Sequence, residues 1–425
     1  MFPFFKKKQA PANVPEIIPI QEEGGVCIAK CWTGKEDADI VVNMTDASKH
    51  QSSVISIVGS HGQGKDFTGK LILYRLCKQG AQATILTDGL SREEYGYMCD
   101  QLGGKNVIIG EENSHINLFD IRKPKEGSRK CSVLTRKVQE LLTVFRAMYP
   151  EMTPEQAGLL DALLYRLYKV KGITYDNASL LVEDSDQYKE FPTIEDFYTT
   201  IKLAHLKELD DFANVLSQFV DGPYGWFNHK TDVDWNSPFL VLDFMKYRGQ
   251  IEKDSTAKDF MMAYCFEILS ERMQNEADKK AILMRDVFFG ENRDVMKNAP
   301  FMLERDTTLS WSKYICQNAM SCDCTVITVT SVFNDGIDDA FLHEIMADSE
   351  VQVYHKVFSH LVSDVAKACH LSAERAKYIS ELQRGDVLIF ADNKWTWCDV
   401  KANEDEYKMM TEYPSDIRVY GRDWP

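Results

Sequence analysis

The amino-acid sequence predicts an α/β fold built on a mostly parallel central sheet. Three observations lead to this prediction. Along most of the 425-residue chain, apolar runs typical of buried strands alternate with segments whose apolar residues recur at helical spacing. One such strand, at residues 54–58, leads directly into a glycine-rich turn, and a helical pattern follows that turn. Apolar residues make up 44% of the chain, which is enough for a sizeable buried core.

Short β-type runs define the first part of the predicted α/β domain, residues 25–130, after a tail of residues 1–24. These runs predict strands at residues 26–29, 40–42, 54–58, 83–87 and 107–109. Apolar residues after the glycine-rich turn recur at helical spacing up to Gly80, which predicts a helix that ends there. Strands that alternate with helices in this way favour parallel pairing.

Residues 131–230 have a different character and predict a helical subdomain inserted into the α/β domain. Thr153, Pro154 and Gln156 have the spacing of an N-cap, a first-turn proline and a capping box, so we expect a helix to begin there. Leucines follow at helical spacing, and Gly172 is predicted to end the segment.

The α/β pattern resumes over residues 231–425, which complete the predicted domain. Strand-like runs lie at residues 239–243, 281–284, 325–329, 351–354 and 387–390. Trp395 and Trp397 alternate in a further strand-like run, which predicts an exposed aromatic face that contacts another subunit.

The glycine-rich turn fits the phosphate-binding pattern G-x-x-x-x-G-K, and it lies between a strand and a helix as that pattern requires. Its glycines allow backbone N–H groups to close around phosphate oxygens, and the helix N-terminus favours an anion. We therefore predict that ATP or ADP binds here, with the lysine reaching the β- and γ-phosphates. The predicted nucleotide-binding residues are Gly59, Ser60, His61, Gly62, Gln63, Gly64, Lys65, Asp66 and Phe67.

Asp66 departs from this pattern, because Ser or Thr is expected after the lysine. The usual hydroxyl ligates Mg²⁺ without adding charge. A carboxylate is also a hard oxygen ligand, so Asp66 is a candidate Mg²⁺ ligand. Its negative charge beside the phosphates is expected to disfavour ATP without a metal ion. Thr68 is predicted to face another side of the helix, where it cannot replace the missing hydroxyl.

Charge and composition exclude several classes of protein. The net charge of −16 argues against a protein that coats nucleic acid or an anionic membrane over its whole surface. No apolar run is long enough to span a bilayer, and the N-terminal residues do not have the pattern of a signal peptide. The 11 cysteines have no zinc-site spacing. We predict a cytoplasmic protein that reaches the inner face of a membrane only through its partners.

Several segments together resemble the motor domain of the conjugative-transfer ATPases of type IV secretion systems. These are the TraC-like branch of the RecA-like motors of the HerA/FtsK group. Beyond the glycine-rich turn, the similar segments are Glu94 and Tyr95 after Asp88, residues 116–120 and residues 222–227. The resemblance covers about residues 25–415. It implies a RecA-like P-loop NTPase fold, binding of ATP or ADP with Mg²⁺, self-association into a hexamer, and secretion or conjugation subunits as partners.

The resemblance also shows where the chain departs from an active motor. Asp286 follows a strand-like run where the family has Asp-Glu, which implies that Asp286 is a second Mg²⁺ ligand. Val287 occupies the place of the glutamate that activates water, and valine cannot accept a proton. Glu291 and Glu94 are the alternative catalytic bases. The basic pair expected near residues 318–320, which would supply an arginine finger, is absent from the sequence there.

Three hypotheses follow from the sequence. The first is a degenerate nucleotide-binding subunit of a secretion or conjugation assembly, with weak or absent hydrolysis. The second is an active hexameric ATPase that energises DNA or protein transfer, with Asp66 and Asp286 on Mg²⁺. The third is a scaffold that binds no nucleotide. The basic stretch that contains Arg129 and Lys130 is a candidate DNA contact, but its lack of interleaved aromatic residues favours a solvated loop.

Overall fold

The computed structural model describes residues 19–32, 37–87, 91–124, 132–244, 255–285, 312–332 and 339–410. Contacts divide the chain into two compact units. Among the described residues, those within 19–80, 281–285 and 316–410 belong to the first unit, and those within 81–280 and 312–315 belong to the second. Within the described residues, no helix is both long enough and apolar enough to cross a membrane.

Strands and helices alternate along the chain, as the sequence predicts. The described strands are β1 (Val26–Trp32), β2 (Asp37–Val42), β3 (Val54–Ser60), β4 (Gln82–Thr87), β5 (Lys105–Ile108), β6 (Phe239–Asp243), β7 (Lys280–Arg285), β8 (Cys324–Val332), β9 (Val351–Tyr354), β10 (Asp386–Ala391) and β11 (Lys394–Asp399). The described helices with defined bounds are α1 (Lys65–Lys78), α2 (Ser91–Gln101), α3 (Val133–Met148), α4 (Pro154–Val170), α5 (Ile194–Ala204), α6 (Asp210–Ser217), α7 (Ser255–Gln274), α8 (Asp339–Ala347), α9 (Val362–Ala368), α10 (Ala373–Glu381) and α11 (Glu404–Met410). Residues 312–319 are also helical.

The strands of the first unit follow the order β2-β1-β11-β10-β9-β3-β8-β7. β3 pairs in parallel with β8 on one side and with β9 on the other. Every residue of β3 is buried, in agreement with the apolar side chains at four of its first five positions. Beyond β9 the pairing becomes antiparallel through β10, β11, β1 and β2. The predicted parallel strands are therefore present at the glycine-rich turn, while the sequence did not indicate the antiparallel extension.

Arg75, near the end of α1, fixes that helix to three other segments of the first unit. Its Nε and Nη2 contact the carboxylate of Glu406 in α11, at 2.7 and 2.9 Å. Its Nη1 donates to the carbonyl oxygen of Cys27 in β1 at 2.7 Å, and Nη2 donates to the carbonyl oxygen of Lys401 at 2.9 Å. The helix that follows the glycine-rich turn is thus anchored at its far end by charge-assisted hydrogen bonds.

The second unit contains the parallel strands β4, β6 and β5, in that order. Helices α3 to α6 lie within the predicted insertion, residues 131–230, whose limits remain a prediction. The predicted capping box is confirmed at the start of α4. There the Thr153 hydroxyl accepts from the N–H of Gln156 at 3.2 Å, and the Gln156 side chain accepts from the N–H of Thr153 at 2.9 Å.

The predicted exposed face of Trp395 and Trp397 is wrong. Both side chains are half-buried and pack against the apolar core of the first unit. The Trp395 ring lies 5.6 Å from the ring of Tyr354, and the guanidinium carbon of Arg375 lies 4.5 Å from the Trp395 ring centroid. The Trp397 ring contacts Tyr378 edge-on at 6.2 Å. Helix α10 supplies Arg375 and Tyr378, so this face of β11 is covered by a helix.

Candidate functional site

The glycine-rich turn forms a phosphate loop between the carboxyl end of β3 and the N-terminus of α1. Gly62 and Gly64 have φ angles of +75° and +100°, in the left-handed region that glycine adopts without strain. The N–H of Gln63 donates to the carbonyl oxygen of Ser60 at 3.3 Å, which closes the turn. His61 and Gly62 are exposed. The loop therefore presents backbone to solvent at the start of a helix, a geometry that suits an anion.

His355, which the sequence analysis missed, lies beneath this loop. It follows β9, and its N–H donates to the carbonyl oxygen of Val58 at 2.8 Å. Its ring Nδ1 is 3.1 Å from the carbonyl oxygen of Gln63, which can only accept, so Nδ1 carries the proton. Its Nε2 then accepts from the hydroxyl of Thr68 at 2.9 Å. Burial lowers the pKa of His355 to about 4, so the ring is neutral at pH 7.

The Thr68 side chain is fully buried against His355, so its hydroxyl does not reach the solvent-exposed face of the phosphate loop. Its hydroxyl also lies 3.2 Å from the carbonyl oxygen of Gly64. The expectation that Thr68 faces away from the position of the missing hydroxyl agrees with this geometry. Phe67 is half-buried on α1, and its ring lies 5.9 Å from that of Tyr407 in α11.

Lys65, Asp66 and Arg285 form an ion triad beside the loop. Lys65 Nζ lies 2.6 Å from Asp66 Oδ2, and Arg285 Nε lies 2.9 Å from Asp66 Oδ1. The Lys65 side chain is 1% exposed, against 26% for Asp66 and 16% for Arg285. Burial alone would raise the pKa of Asp66, but attraction to Lys65 and Arg285 and the hydrogen bond from Lys65 outweigh it. The pKa of Asp66 is lowered, so its carboxylate is ionised at neutral pH.

Arg285 is the residue of this triad that sequence reasoning did not single out. It ends β7, and its contact with Asp66 places the carboxyl end of β7 at the phosphate loop. The only signal in the sequence was its position directly before Asp286. Asp286 and Glu291 lie outside the described residues, as do Asp88, Arg129 and Lys130.

Glu94 lies in the first turn of α2, in the second unit. At the start of that helix, the N–H of Ser91 donates to Asp243 Oδ2 at 3.2 Å, which joins α2 to the end of β6. No geometric relationship between Glu94 and the phosphate loop follows from these contacts. The roles of Glu94, Glu291 and Asp286 in catalysis stay predictions.

The arrangement around Asp66 does not fit the predicted Mg²⁺ ligand. Each carboxylate oxygen is within 3 Å of a cationic nitrogen, one from Lys65 and one from Arg285. A divalent cation at Asp66 would have to approach a carboxylate that two positive charges already neutralise, and both would repel it. Lys65, Asp66 and Arg285 together have a net charge of +1, which favours an anion over a cation beside the loop.

A second group of ionisable residues lies between α3 and α7 in the second unit. The carboxylates of Glu140, Glu267 and Glu271 are buried within 4.8 Å of one another. Arg136 pairs with Glu140 and Glu271 at 3.2 and 3.0 Å, and Lys137 pairs with Glu267. Burial raises the pKa of Glu267 to about 8, against the attraction of Lys137. Arg136 and Lys137 thus already pair with all three carboxylates.

Comparison with known proteins identifies the fold. No protein-family model and no curated protein matches the sequence. Among solved structures, VirB4 of Thermoanaerobacter pseudethanolicus aligns over 93% of this chain and 100% of its own, with a TM-score of 0.70 and 18% sequence identity. This chain has the fold of VirB4. The similarity to VirB4 confirms the predicted α/β, RecA-like P-loop fold and, for the fold, the resemblance to conjugative-transfer motors.

Two further solved structures align with lower scores. The bacterial conjugative coupling protein TrwB, in complex with sulphate, aligns over 85% of this chain and 88% of its own, with 11% identity and a TM-score of 0.46. The genome packaging NTPase B204 from Sulfolobus turreted icosahedral virus 2, in complex with ATP-gammaS, aligns over 83% and 98%, with 7% identity and a TM-score of 0.35.

Proposed function

We propose that this chain is a nucleotide-binding subunit of a type IV secretion or conjugation assembly, with weak or absent ATP hydrolysis. The observation that carries the proposal is the ion triad of Lys65, Asp66 and Arg285 at an otherwise well-formed phosphate loop. The fold shared with VirB4 supports the nucleotide-binding part. The triad supports the hydrolysis-impaired part.

Binding is supported by the loop itself. Gly62 and Gly64, whose φ angles are positive, allow the backbone N–H groups of the loop to point at phosphate oxygens. The N-terminus of α1 adds a favourable helix dipole. We assign ATP or ADP to the loop residues Gly59, Ser60, His61, Gly62, Gln63, Gly64, Lys65, Asp66 and Phe67. To reach a phosphate, Lys65 must exchange its contact with Asp66 for one with the ligand.

Weak hydrolysis is supported by changes at two groups that active motors use, the Mg²⁺-ligating hydroxyl and the general base. The hydroxyl that ligates Mg²⁺ in other loops of this type is replaced by a carboxylate held between two cations. The resemblance to conjugative-transfer motors implies that Val287 replaces a catalytic glutamate, and loss of a general base costs about 10²–10⁴ in rate. Both changes lower turnover without removing the phosphate-binding loop.

The proposed partners are further copies of this chain, in a hexamer, and the other subunits of the assembly. Such contacts would also place the protein at the inner face of a membrane. DNA contact through Arg129 and Lys130 is the weaker proposal. It predicts salt-dependent DNA binding that is lost when both side chains are replaced.

Two measurements on the full-length chain test this function: steady-state phosphate release from Mg·ATP, and binding of fluorescent ATP. We expect equally low release from the wild type and from Lys65→Ala, and ATP binding that only the wild type shows. Lys49→Ala, which changes an exposed lysine, is the matched control. Turnover that disappears in Lys65→Ala would overturn weak hydrolysis in favour of the active ATPase, with Asp66 as a working Mg²⁺ ligand and the catalytic base still to be assigned, Glu94 and Glu291 being the candidates. Absence of nucleotide binding would establish the scaffold.

A further inference from the structure

We propose that Arg285 takes the place of the divalent cation at this phosphate loop, so that nucleotide binds here without Mg²⁺. This inference rests on the proposed nucleotide binding and concerns how the same site holds its ligand. It starts from the disagreement between the implied Mg²⁺ site and the contacts around Asp66.

Asp66 adds one negative charge beside the phosphates, and Arg285 adds one positive charge 2.9 Å from the Asp66 carboxylate. Together with Lys65, the triad has a net charge of +1, the same as a lysine beside a neutral hydroxyl. The repulsion between Asp66 and metal-free ATP that the sequence predicts assumes an unpaired carboxylate. In the structure Arg285 compensates that charge.

Arg285 contacts Asp66 Oδ1 while Lys65 contacts Oδ2, so the two cations approach opposite oxygens of one carboxylate. When Lys65 moves to a phosphate oxygen, Arg285 still neutralises Asp66. A guanidinium is planar and has five N–H donors, in a fork that matches phosphate oxygens. Arg285 can therefore serve the carboxylate and the terminal phosphates from one position at the end of β7.

The two cations that hold Asp66 also repel a divalent ion from it, so Mg²⁺ brought by ATP gains no ligand at this residue. Mg²⁺ bound to the phosphates would instead compete with Lys65 and Arg285 for the same oxygens. Affinity for ATP should thus be as high in the absence of Mg²⁺ as in its presence.

The test is calorimetric titration of the full-length chain with ATP, in excess EDTA and in excess Mg²⁺. We expect ATP to bind in EDTA at least as tightly as in Mg²⁺. Arg285→Ala should weaken binding in EDTA by about tenfold or more, because Asp66 then opposes the phosphates. Arg285→Lys should lose less affinity for ATP, since lysine keeps the positive charge but lacks the planar, multiple-donor guanidinium. Arg166→Ala, at an exposed position on α4, is the control and should bind as the wild type does.

A double variant tests independently whether Arg285 makes Mg²⁺ unnecessary for ATP binding. Asp66→Ser together with Arg285→Ala creates the ordinary lysine and hydroxyl pair, and ATP should then bind more tightly in Mg²⁺ than in EDTA, because the introduced hydroxyl can ligate the metal ion. Wild-type binding that occurs only with Mg²⁺ would overturn the inference and leave the proposed function intact. Unchanged affinity of Arg285→Ala in EDTA would overturn it as well. No ATP binding under either condition would overturn the proposed function, and the inference with it. Circular dichroism of each variant verifies that it is folded.

Discussion

Gly59 and His355 lie so close together that a Cβ atom on Gly59 would be 2.6 Å from the Cβ of His355. The backbone cannot easily separate them, because His355 is hydrogen-bonded to Val58 directly before this glycine. The first glycine of the phosphate loop is therefore required by the approach of a neighbouring segment. Gly62 and Gly64, by contrast, are required by their φ angles.

We expect Gly59→Ala to lower both the thermal midpoint of unfolding and the affinity for ATP. The added methyl group would force the end of β3 away from His355, and overpacking of this kind costs about 1–3 kcal/mol. Thermal unfolding followed by circular dichroism measures the loss. Gly96→Ala is the control, because a Cβ at Gly96 in α2 meets nothing within 4 Å and alanine favours a helix. Equal stability of the two variants would contradict the close approach.

His355 should make stability depend on acid pH. Burial holds its folded-state pKa near 4, against an ordinary value of 6.5, so the unfolded chain binds a proton that the folded chain refuses. The stabilisation is complete above pH 6.5 and is lost as the pH falls towards 4, up to about 3 kcal/mol in total. Urea unfolding across this range measures it. In His355→Asn this part of the pH dependence should disappear.

His205→Asn is the matched control for that experiment. His205 is exposed and has a φ angle of +51°, which asparagine also tolerates. Its replacement should leave the acid dependence of the wild type unchanged. A His355→Asn protein with the full wild-type dependence would show that other groups cause it.

The buried cluster around Glu267 should make the protein less stable as the pH rises, whereas His355 makes it less stable as the pH falls. Its raised pKa, about 8, means that the folded chain keeps a proton which the unfolded chain loses above pH 4.5. The stabilisation from this proton is complete below pH 4.5 and is lost as the pH rises through 8. Glu267→Gln imitates the protonated side chain, so its stability relative to the wild type should increase between pH 6 and 9. Urea unfolding at each pH measures this difference.

Glu151→Gln, which changes an exposed carboxylate, provides the comparison for this cluster. Parallel pH profiles of Glu267→Gln and the wild type would mean that Glu267 is ionised in the fold. The contact with Lys137 would then be a conventional buried ion pair.

Thr153→Ala should destabilise the start of α4. The substitution removes the hydroxyl that accepts from the N–H of Gln156, and loss of such a cap costs about 1 kcal/mol. Amide hydrogen exchange in the first turn of α4 should become faster. Thr199→Ala, at an exposed position inside α5, should not accelerate exchange there, because alanine is the better helix former.

Sequence patterns predicted correctly those features that depend on interactions between residues close together in the chain. The strand that leads into the phosphate loop, the loop itself and the capping box at Thr153 each depend on residues only a few positions apart, and the structure has all of them. His355 and Arg285 escaped prediction because their partners are distant in sequence. Gln63 and His355, for example, are 292 positions apart.

The error at Trp395 has a related cause. Alternation in β11 shows that two faces differ, but it does not show which element covers each face. Helix α10 covers this one, and nothing near Trp395 in the sequence indicates that packing.

The anchoring of α1 by Arg75 also has a consequence for how the protein is made. Glu406 is 331 positions after Arg75, so a ribosome adding about 5–20 residues per second needs roughly 20 s to 1 min to synthesise the partner. Throughout that interval the nascent phosphate-loop helix lacks its carboxylate and the carbonyl of Lys401. A premature stop codon before position 401 would release a chain that has the whole nucleotide loop but only one of the three contacts that anchor its helix at Arg75, the one with Cys27.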